Sequence, residues 1–289
     1  VDRGLDVDSF GPRISWIFQI DSNFLEEVAK LRAIRRMWAK IMRERFGAKD
    51  PRSWMLRTHV QTGGSTLTAQ QPMNNVVRAT IQTLAAVLGG VQSMAVSCYD
   101  EALALPCEES ELLSLRTQQI VAHESGVADV ADLLGGAYFV EHLTDTIERE
   151  AFAYIDKIEA MGGAVAAIEK GFPQKEMQDS AYKRMCEVEA GQRVLVGVNR
   201  FVSPYPKVTN LLRVDPQEAH KQVQRLHEFK KHRNGAAVEA SLKQVEGDAR
   251  SGRNLMPSLI GAAESGATLG ETCTVLRKVF GVQREFLVY

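Results

Sequence analysis

The 289-residue sequence is poor in the features that announce several large protein classes. It has four cysteines, Cys98, Cys107, Cys186 and Cys273, scattered rather than paired, so neither a disulfide scaffold nor a thiolate zinc site is expected; the thiols read as reduced, in a cytoplasmic protein. No His-x-x-x-His or His-Glu-x-x-His spacing occurs, which argues against a metal held by this chain alone. Neither sign of charge is in excess. With 35 Lys and Arg against 36 Asp and Glu, the net charge of −1 and the lack of a long basic run argue against nucleic acid or an anionic membrane as main partner. No apolar run approaches the roughly 18 residues of a membrane helix; the densest early one, Ile14 to Ile20, contains Gln19 and stops at Asp21. The sequence opens Val-Asp-Arg-Gly, with no initiator Met and no basic-then-apolar leader, so the expectation is a processed chain or one that begins partway into a longer protein. Gly-x-Gly-x-x-Gly and P-loop patterns are also missing, which weakens an ordinary nucleotide-binding reading.

What is present is a globular composition, 45% hydrophobic, on a length that at roughly 150 residues per domain predicts about two domains. The first 126 residues repeat one pattern three times: an apolar β-rich run, a polar turn, then a helical period. Arg13 to Ile20 reads as a buried strand, followed by a helix carrying Leu25, Val28, Leu31, Ile34, Trp38 and Ile41, with Asn23 and Glu26 as its capping box. Gly47 and Pro51 mark that helix's end. The second unit is Trp54 to Gln61, a Gly63-Gly64 turn, and a helix from about Asn75 to Leu88 closed by Gly89-Gly90. The third is Val91 to Ser97, a turn through Tyr99, and a helix from about Glu108 to His123.

Alternating strands and helices predict an α/β fold with a parallel sheet, either doubly wound or an arc of a (β/α)8 barrel. In both, ligands sit at the C-terminal ends of the strands, which selects Gln19 to Asn23, His59 to Ser65 and Ser97 to Ala104. Three parallel strands alone leave apolar edges unpaired, so strands from elsewhere are expected. Beyond Gly126 the rhythm stops: helices are predicted from Phe139 to Met161, up to Lys170, and from Gln174 to Glu189, with one more strand at Arg193 to Val198. Val202 to Val214, with Ser203-Pro-Tyr-Pro-Lys, reads as an extended linker. Four polar helices follow, from Pro216, Ala236, Pro257 and Leu269. The expected organisation is 1–126 as βα units, 127–201 as a helical extension and 202–289 as linker and helical lobe.

Arg57-Thr-His-Val-Gln-Thr-Gly-Gly-Ser-Thr-Leu-Thr-Ala-Gln-Gln-Pro72, with Asn74-Asn-Val-Val-Arg78, closely resembles the adenosylcobalamin-dependent acyl-CoA mutases, and Pro12-Arg-Ile-Ser15, Tyr99-Asp-Glu-Ala-Leu-Ala-Leu-Pro106 and Val196-Gly-Val-Asn199 agree. The resemblance runs in order over nearly the whole chain. It implies the C-terminal portion, about three βα units, of a (β/α)8 TIM-type barrel that wraps an acyl-CoA, followed by a mainly helical segment. It also implies radical 1,2 carbon-skeleton rearrangement with adenosylcobalamin, a cobalamin-binding domain or small subunit as partner, and a homodimer or heteromer. The family's catalytic histidine and tyrosine would lie upstream of Val1, and its Asp-x-His-x-x-Gly cobalt-ligand signature does not occur here. No catalytic residue and no metal ligand is therefore expected in this chain.

Residue by residue, the resemblance assigns Arg13, Ser15, His59 and Gln61 to the CoA substrate, where a guanidinium suits phosphate and the others can hydrogen-bond. It assigns Ser65, Gln92, Glu101 and Ala104 to the cofactor, with Glu101 accepting from ribose hydroxyls. Simpler readings compete: a surface charge at the start of a strand for Arg13, a structural histidine for His59, and a helix-start carboxylate for Glu101. Two departures leave the substrate open. Gly63-Gly64-Ser65 stands where methylmalonyl-CoA mutases usually have Ser-Gly-Trp, and Gln92-Ser-Met-Ala-Val-Ser-Cys98 where they usually have Gln-Ser-Leu-His-Thr-Asn-Ser. The alternative function is a non-catalytic fragment or interaction subunit that keeps the scaffold.

Overall fold

A computed structural model describes residues 1, 4–205 and 208–282. The chain divides into two compact units, Val1–Arg213 and Val214–Tyr289. In the first, a short helix α1 (Val7–Phe10) and a 3-10 turn, Gly11–Arg13, lead into strand β1 (Trp16–Ile20) and helix α2 (Phe24–Lys40). Helix α3 (Pro51–Trp54), strand β2 (Thr58–Thr62) and helix α4 (Asn74–Gly89) form the second βα unit, and strand β3 (Ser93–Ala95) with helix α5 (Glu108–His123) the third. The strands pair in parallel in the order β1-β2-β3, with Phe18 beside Val60 and Val60 beside Met94.

Strand alternation divides the sheet into two unlike faces. Phe18, Ile20, Val60 and Met94 face Val28, Leu31, Ala85, Ala86 and Val140 of the helices, forming the main core. Where α2 meets α4 the helices approach closely enough that a β-carbon on Gly89 would stand 2.9 Å from the β-carbon of Leu31. The other face carries Ile17, Gln19, His59, Gln61, Ser93 and Ala95, and Ile17 is 75% exposed. The first strand thus carries an apolar residue, Ile17, on its open face as well as on its core face but is buried on one only, a correction to the reading of Arg13–Ile20 as a buried strand. Helices on a single side of a parallel sheet fit an arc of a barrel better than a doubly wound sheet.

Three further local expectations are corrected. Asn23 makes no capping bond to the α2 backbone; its amide donates instead to Glu26 Oε2, 2.6 Å away. The last turn of α2 runs on as a π-helix, Ile41–Arg45, which shifts the helical phase so that Met42, 2% exposed, takes the buried position expected of Ile41. Arg193 to Val198 is not a strand: Gly197 turns at φ +81°, Asn199 Oδ1 accepts from the Leu195 N–H, and the one β-bridge there joins Val196 to Arg200.

Helices α6 (Tyr138–Ala160), α7 (Ala164–Glu169) and α8 (Phe172–Glu189) complete the ordered helices of this unit. Helix α6 and the loop before it meet α2 and its π-helical extension through an ion-pair ladder: Arg32 with Asp132 of the loop and Glu141, Arg36 with Asp145 and Glu148, Lys40 with Glu148, and Arg45 of the extension with Glu159. Of the expected linker, Ser203–Tyr205 and the residues from Val208 are neither helix nor strand, and Pro206 and Lys207 lie outside the described residues. The second unit holds helices α9 (Pro216–His232), α10 (Gly235–Ser251), α11 (Met256–Glu264) and α12 (Leu269–Phe280). There Arg233 grips Glu271 with both terminal guanidinium nitrogens, at 2.7 and 2.5 Å, and Thr268 with Glu271 caps α12. No helix among the described residues is long and apolar enough to cross a membrane.

Candidate functional site

The uncovered sheet face and its two rims gather most of the residues selected from the sequence. Register places Gln19 beside Gln61, and His59 between Ile17 and Ser93. His59 Nδ1 and Ser93 Oγ are 2.8 Å apart, so the serine fixes the imidazole on the open face. Ser93 was not selected from the sequence, yet strand alternation across β2 and β3 puts it on the His59 face.

The rim at the C-terminal strand ends is built by backbone that only small residues allow. A β-carbon on Gly63 would lie 2.7 Å from the Ile20 carbonyl oxygen, and one on Gly64 would lie 3.0 Å from Glu101 Oε1. The Glu101 carboxylate therefore rests against the Gly64 backbone, exposed, with Ser65 exposed one residue on and Ala104 half-buried nearby in sequence. Two buried amides from α4 hold this rim. Gln82, 1% exposed, accepts from the Gly63 N–H at 2.9 Å and donates to Thr66 Oγ1 at 2.7 Å. Asn75, fully buried, donates to the carbonyls of Thr68 and Tyr99 at 2.8 and 2.9 Å, tying the β2–α4 loop to the β3–α5 loop. Burial without such partners would cost each amide more than it returns, which is why both are fully bonded. Neither was selected from the sequence, since a polar residue in a helix reads as solvent-facing until its loop partners are known.

Beside this rim lies a polar cavity of about 520 Å³, lined among others by Asp21, Glu27, Lys30, Ser65, Lys183 and Arg184. Burial pushes the Asp21 carboxyl upward, but the bond from Arg184 at 2.8 Å and the Ser22 N–H outweigh it and hold Asp21 below its ordinary value. Glu27 goes the other way: burial raises it despite its ion pair with Lys30. Lys30 also donates to the Gln19 carbonyl at 2.7 Å, so the cavity's charges are largely matched internally.

Arg13 and Ser15 are exposed just before β1, at the opposite, N-terminal rim. Gln92 belongs there too: immediately ahead of β3, its Oε1 accepts from the Thr58 N–H at 2.7 Å, at the start of β2. The structure therefore brings Glu101 against Gly64, the neighbour of Ser65 in sequence, and sets Gln92 at the far end of the strands, its side chain engaged by backbone. Among the described residues no group of three or more His, Cys, Asp or Glu is placed to hold a metal ion.

A parallel three-stranded βα sheet with a polar open face and two polar rims defines an α/β protein whose exposed polar residues gather on one sheet face and at the strand ends. The particular family follows from comparison: the chain belongs to the methylmalonyl-CoA mutase family, whose sequence pattern matches residues 1–282. It is 44% identical over 288 residues to the 2-hydroxyisobutanoyl-CoA mutase large subunit of Aquincola tertiaricarbonis, covering 99% of this chain and 51% of that one. It is 39% identical to the methylmalonyl-CoA mutase of Escherichia coli (97% of this chain, 39% of that one) and 38% identical to the mitochondrial enzyme of Mus musculus (97% and 38%). The chain thus spans about half, or less, of the length of these curated relatives.

Proposed function

We propose that the chain is part of the large subunit of an adenosylcobalamin-dependent acyl-CoA mutase and that its three βα units are an arc of the acyl-CoA-binding barrel. The observation that carries this reading is the open sheet face, polar at Gln19, His59, Gln61 and Ser93 and flanked by helices on the opposite side only. Five strand residues at about 3.3 Å each separate the two rims by roughly 16 Å, a span that an extended thioester arm can follow. Arg13 and Ser15 at the N-terminal rim would take the phosphate end of CoA, where a guanidinium can form paired charge-assisted bonds. His59, oriented by Ser93, and Gln61 would hydrogen-bond the arm or its thioester along the face.

At the C-terminal rim the residues present fit a nucleoside-bearing cofactor. Glu101 is an exposed carboxylate, free of ion pairs among the described residues and able to accept from two vicinal hydroxyls, and Ser65 and Ala104 are small. Adenosylcobalamin, when bound, supplies the radical chemistry through cleavage of its cobalt–carbon bond. This chain's share is to bind, orient and shield: none of its residues is assigned a proton transfer, and the cobalt ligand would come from a separate domain or subunit.

The test is reconstitution. The chain, joined to the N-terminal barrel portion of a relative and supplied with a cobalamin-binding domain, is assayed for rearrangement of methylmalonyl-, isobutyryl- and 2-hydroxyisobutyryl-CoA. Turnover of one of these supports the reading, with Arg13→Ala weakening acyl-CoA affinity at least tenfold. A folded, cofactor-loaded assembly with no turnover would favour the non-catalytic scaffold instead.

A further inference from the structure

Gln71 has a backbone conformation that its residue type seldom takes. Its φ is +48°, in the left-handed region that favours glycine and asparagine, in the middle of the loop joining the C-terminal rim of β2 to α4. Such a conformation persists only where the surroundings fix it. Here the fixing is done from far along the chain. Gln71 Nε2 donates to the Phe201 carbonyl and to Ser203 Oγ, both at 3.1 Å, while its Oε1 accepts from Asn74 Nδ2 at 2.9 Å. The backbone at Gly197 packs on the same amide so closely that a β-carbon there would stand 2.9 Å from Gln71 Cδ. A second bond joins the same two segments: Arg78 donates to the Val196 carbonyl at 2.8 Å while also donating to Asn75 Oδ1 at 2.7 Å. Asn75 in turn holds Thr68 and Tyr99, and the Gly64 backbone supports the Glu101 carboxylate.

We propose that Gln71 is a positioning residue, through which the strap of residues 196–203 sets the loop carrying Gly64 and Ser65 against Glu101. Among the described residues the strap makes no hydrogen bond to an assigned ligand residue, yet it is the outer anchor of the network that ends on them. Loss of the two Gln71 donors would free the loop to leave its left-handed turn and relax the rim. The consequence for ligands rests on the proposed assignment of Glu101 to the cofactor; the consequence for rim order does not.

The test uses the complete protein that contains this chain, as parent, Gln71→Glu, Gln71→Gly and Ser203→Ala. Glu keeps the shape but replaces the donor by an acceptor facing the Phe201 carbonyl, and Gly accepts the backbone turn without the side chain. Hydrogen exchange at residues 64–70 and 99–101 is expected to quicken at least tenfold in both Gln71 variants, with Tyr138–Ala160 unchanged. Rim protection equal to the parent in either variant, or an equal loss across Tyr138–Ala160, overturns the proposal. If both Gln71 variants fail to fold, Ser203→Ala decides, faster rim exchange supporting the strap and parent-like exchange refuting it. In the loaded protein, Gln71→Glu should weaken adenosylcobalamin binding about tenfold and leave acyl-CoA affinity within twofold. Equal loss of both would refute the positioning role. A parent that binds no adenosylcobalamin would refute the cofactor assignment, and the exchange result would still decide the strap.

Discussion

Replacement of Gln82 by leucine tests whether the C-terminal rim is held by the helix beneath it. The substitution keeps the side chain's bulk and removes two neutral hydrogen bonds, one from the Gly63 N–H and one to Thr66 Oγ1. At about 1 kcal/mol net for each, the loss is about 2 kcal/mol. No larger penalty applies, because neither partner is orphaned: the Gly63 N–H also bonds the Ile20 carbonyl at 2.8 Å, and the Thr66 hydroxyl also donates to the Gly63 carbonyl at 2.6 Å. Gln82→Ala adds a cavity and should cost about 3 kcal/mol or more. The assay is urea unfolding followed by tryptophan emission. All three tryptophans, Trp16, Trp38 and Trp54, belong to the first compact unit, so the signal isolates the transition that matters. A loss of about 2 kcal/mol, roughly 30-fold in the folded-to-unfolded ratio, should come with faster amide exchange at Gly63 to Thr66. A leucine variant within about 0.5 kcal/mol of the parent, with the turn still protected, would refute the assignment.

Two further outcomes are expected. Burial pushes Glu148 upward, but bonds from Lys40 and Arg36 outweigh it and hold its carboxyl below the ordinary 4.5, so its contribution is present above that pH and fades as the pH falls through the lowered value. Glu148→Gln should therefore cost about 1 kcal/mol at pH 7, a figure reduced for the solvent reaching Arg36 and Lys40, and flatten the acid limb of the stability curve; an unchanged acid limb would contradict this. Burial, reinforced by the charges of Glu111 and Asp100, pushes the Cys98 thiol up to about 11, whereas Cys186 is exposed. A maleimide at pH 7.5 should label Cys186 first and Cys98 last, and comparable rates, read by peptide mass mapping, would show that Cys98 is not shielded.

The three βα units were legible because each strand and helix carries its own period. Helices α5 and α12 occupy the Glu108–His123 and Leu269–Phe280 spans that the pattern marked. Errors arose where a local pattern was redirected. The π-turn handed the position of Ile41 to Met42, and the apolar Arg193–Val198 run was bent into turns by Gly197 and the side chain of Asn199. The candidate residues of the proposed site divide in the same way. His59, Gln61, Ser65 and Glu101 stood out by their place at strand ends and by motif. Asn75, Gln82 and Gln71 did not, because their work is to join loops whose separation in sequence hides that they meet. Gln92, assigned to the cofactor by its motif, lies ahead of β3 with its amide oxygen taken by the Thr58 N–H, a placement that strand order alone could have given.

The open sheet face also separates two quantities that mutagenesis ordinarily entangles. Gln19, Gln61 and Ser93 are exposed and add little to the packing of this unit, so substitutions there should fall within about ±0.5 kcal/mol in stability, as for most exposed positions, whereas His59 is half-buried. Saturation libraries at these three exposed positions would then vary recognition on a nearly constant folding background. Differences in enrichment between two acyl-CoA selections could be attributed to the ligand rather than to the abundance of each variant in the cell.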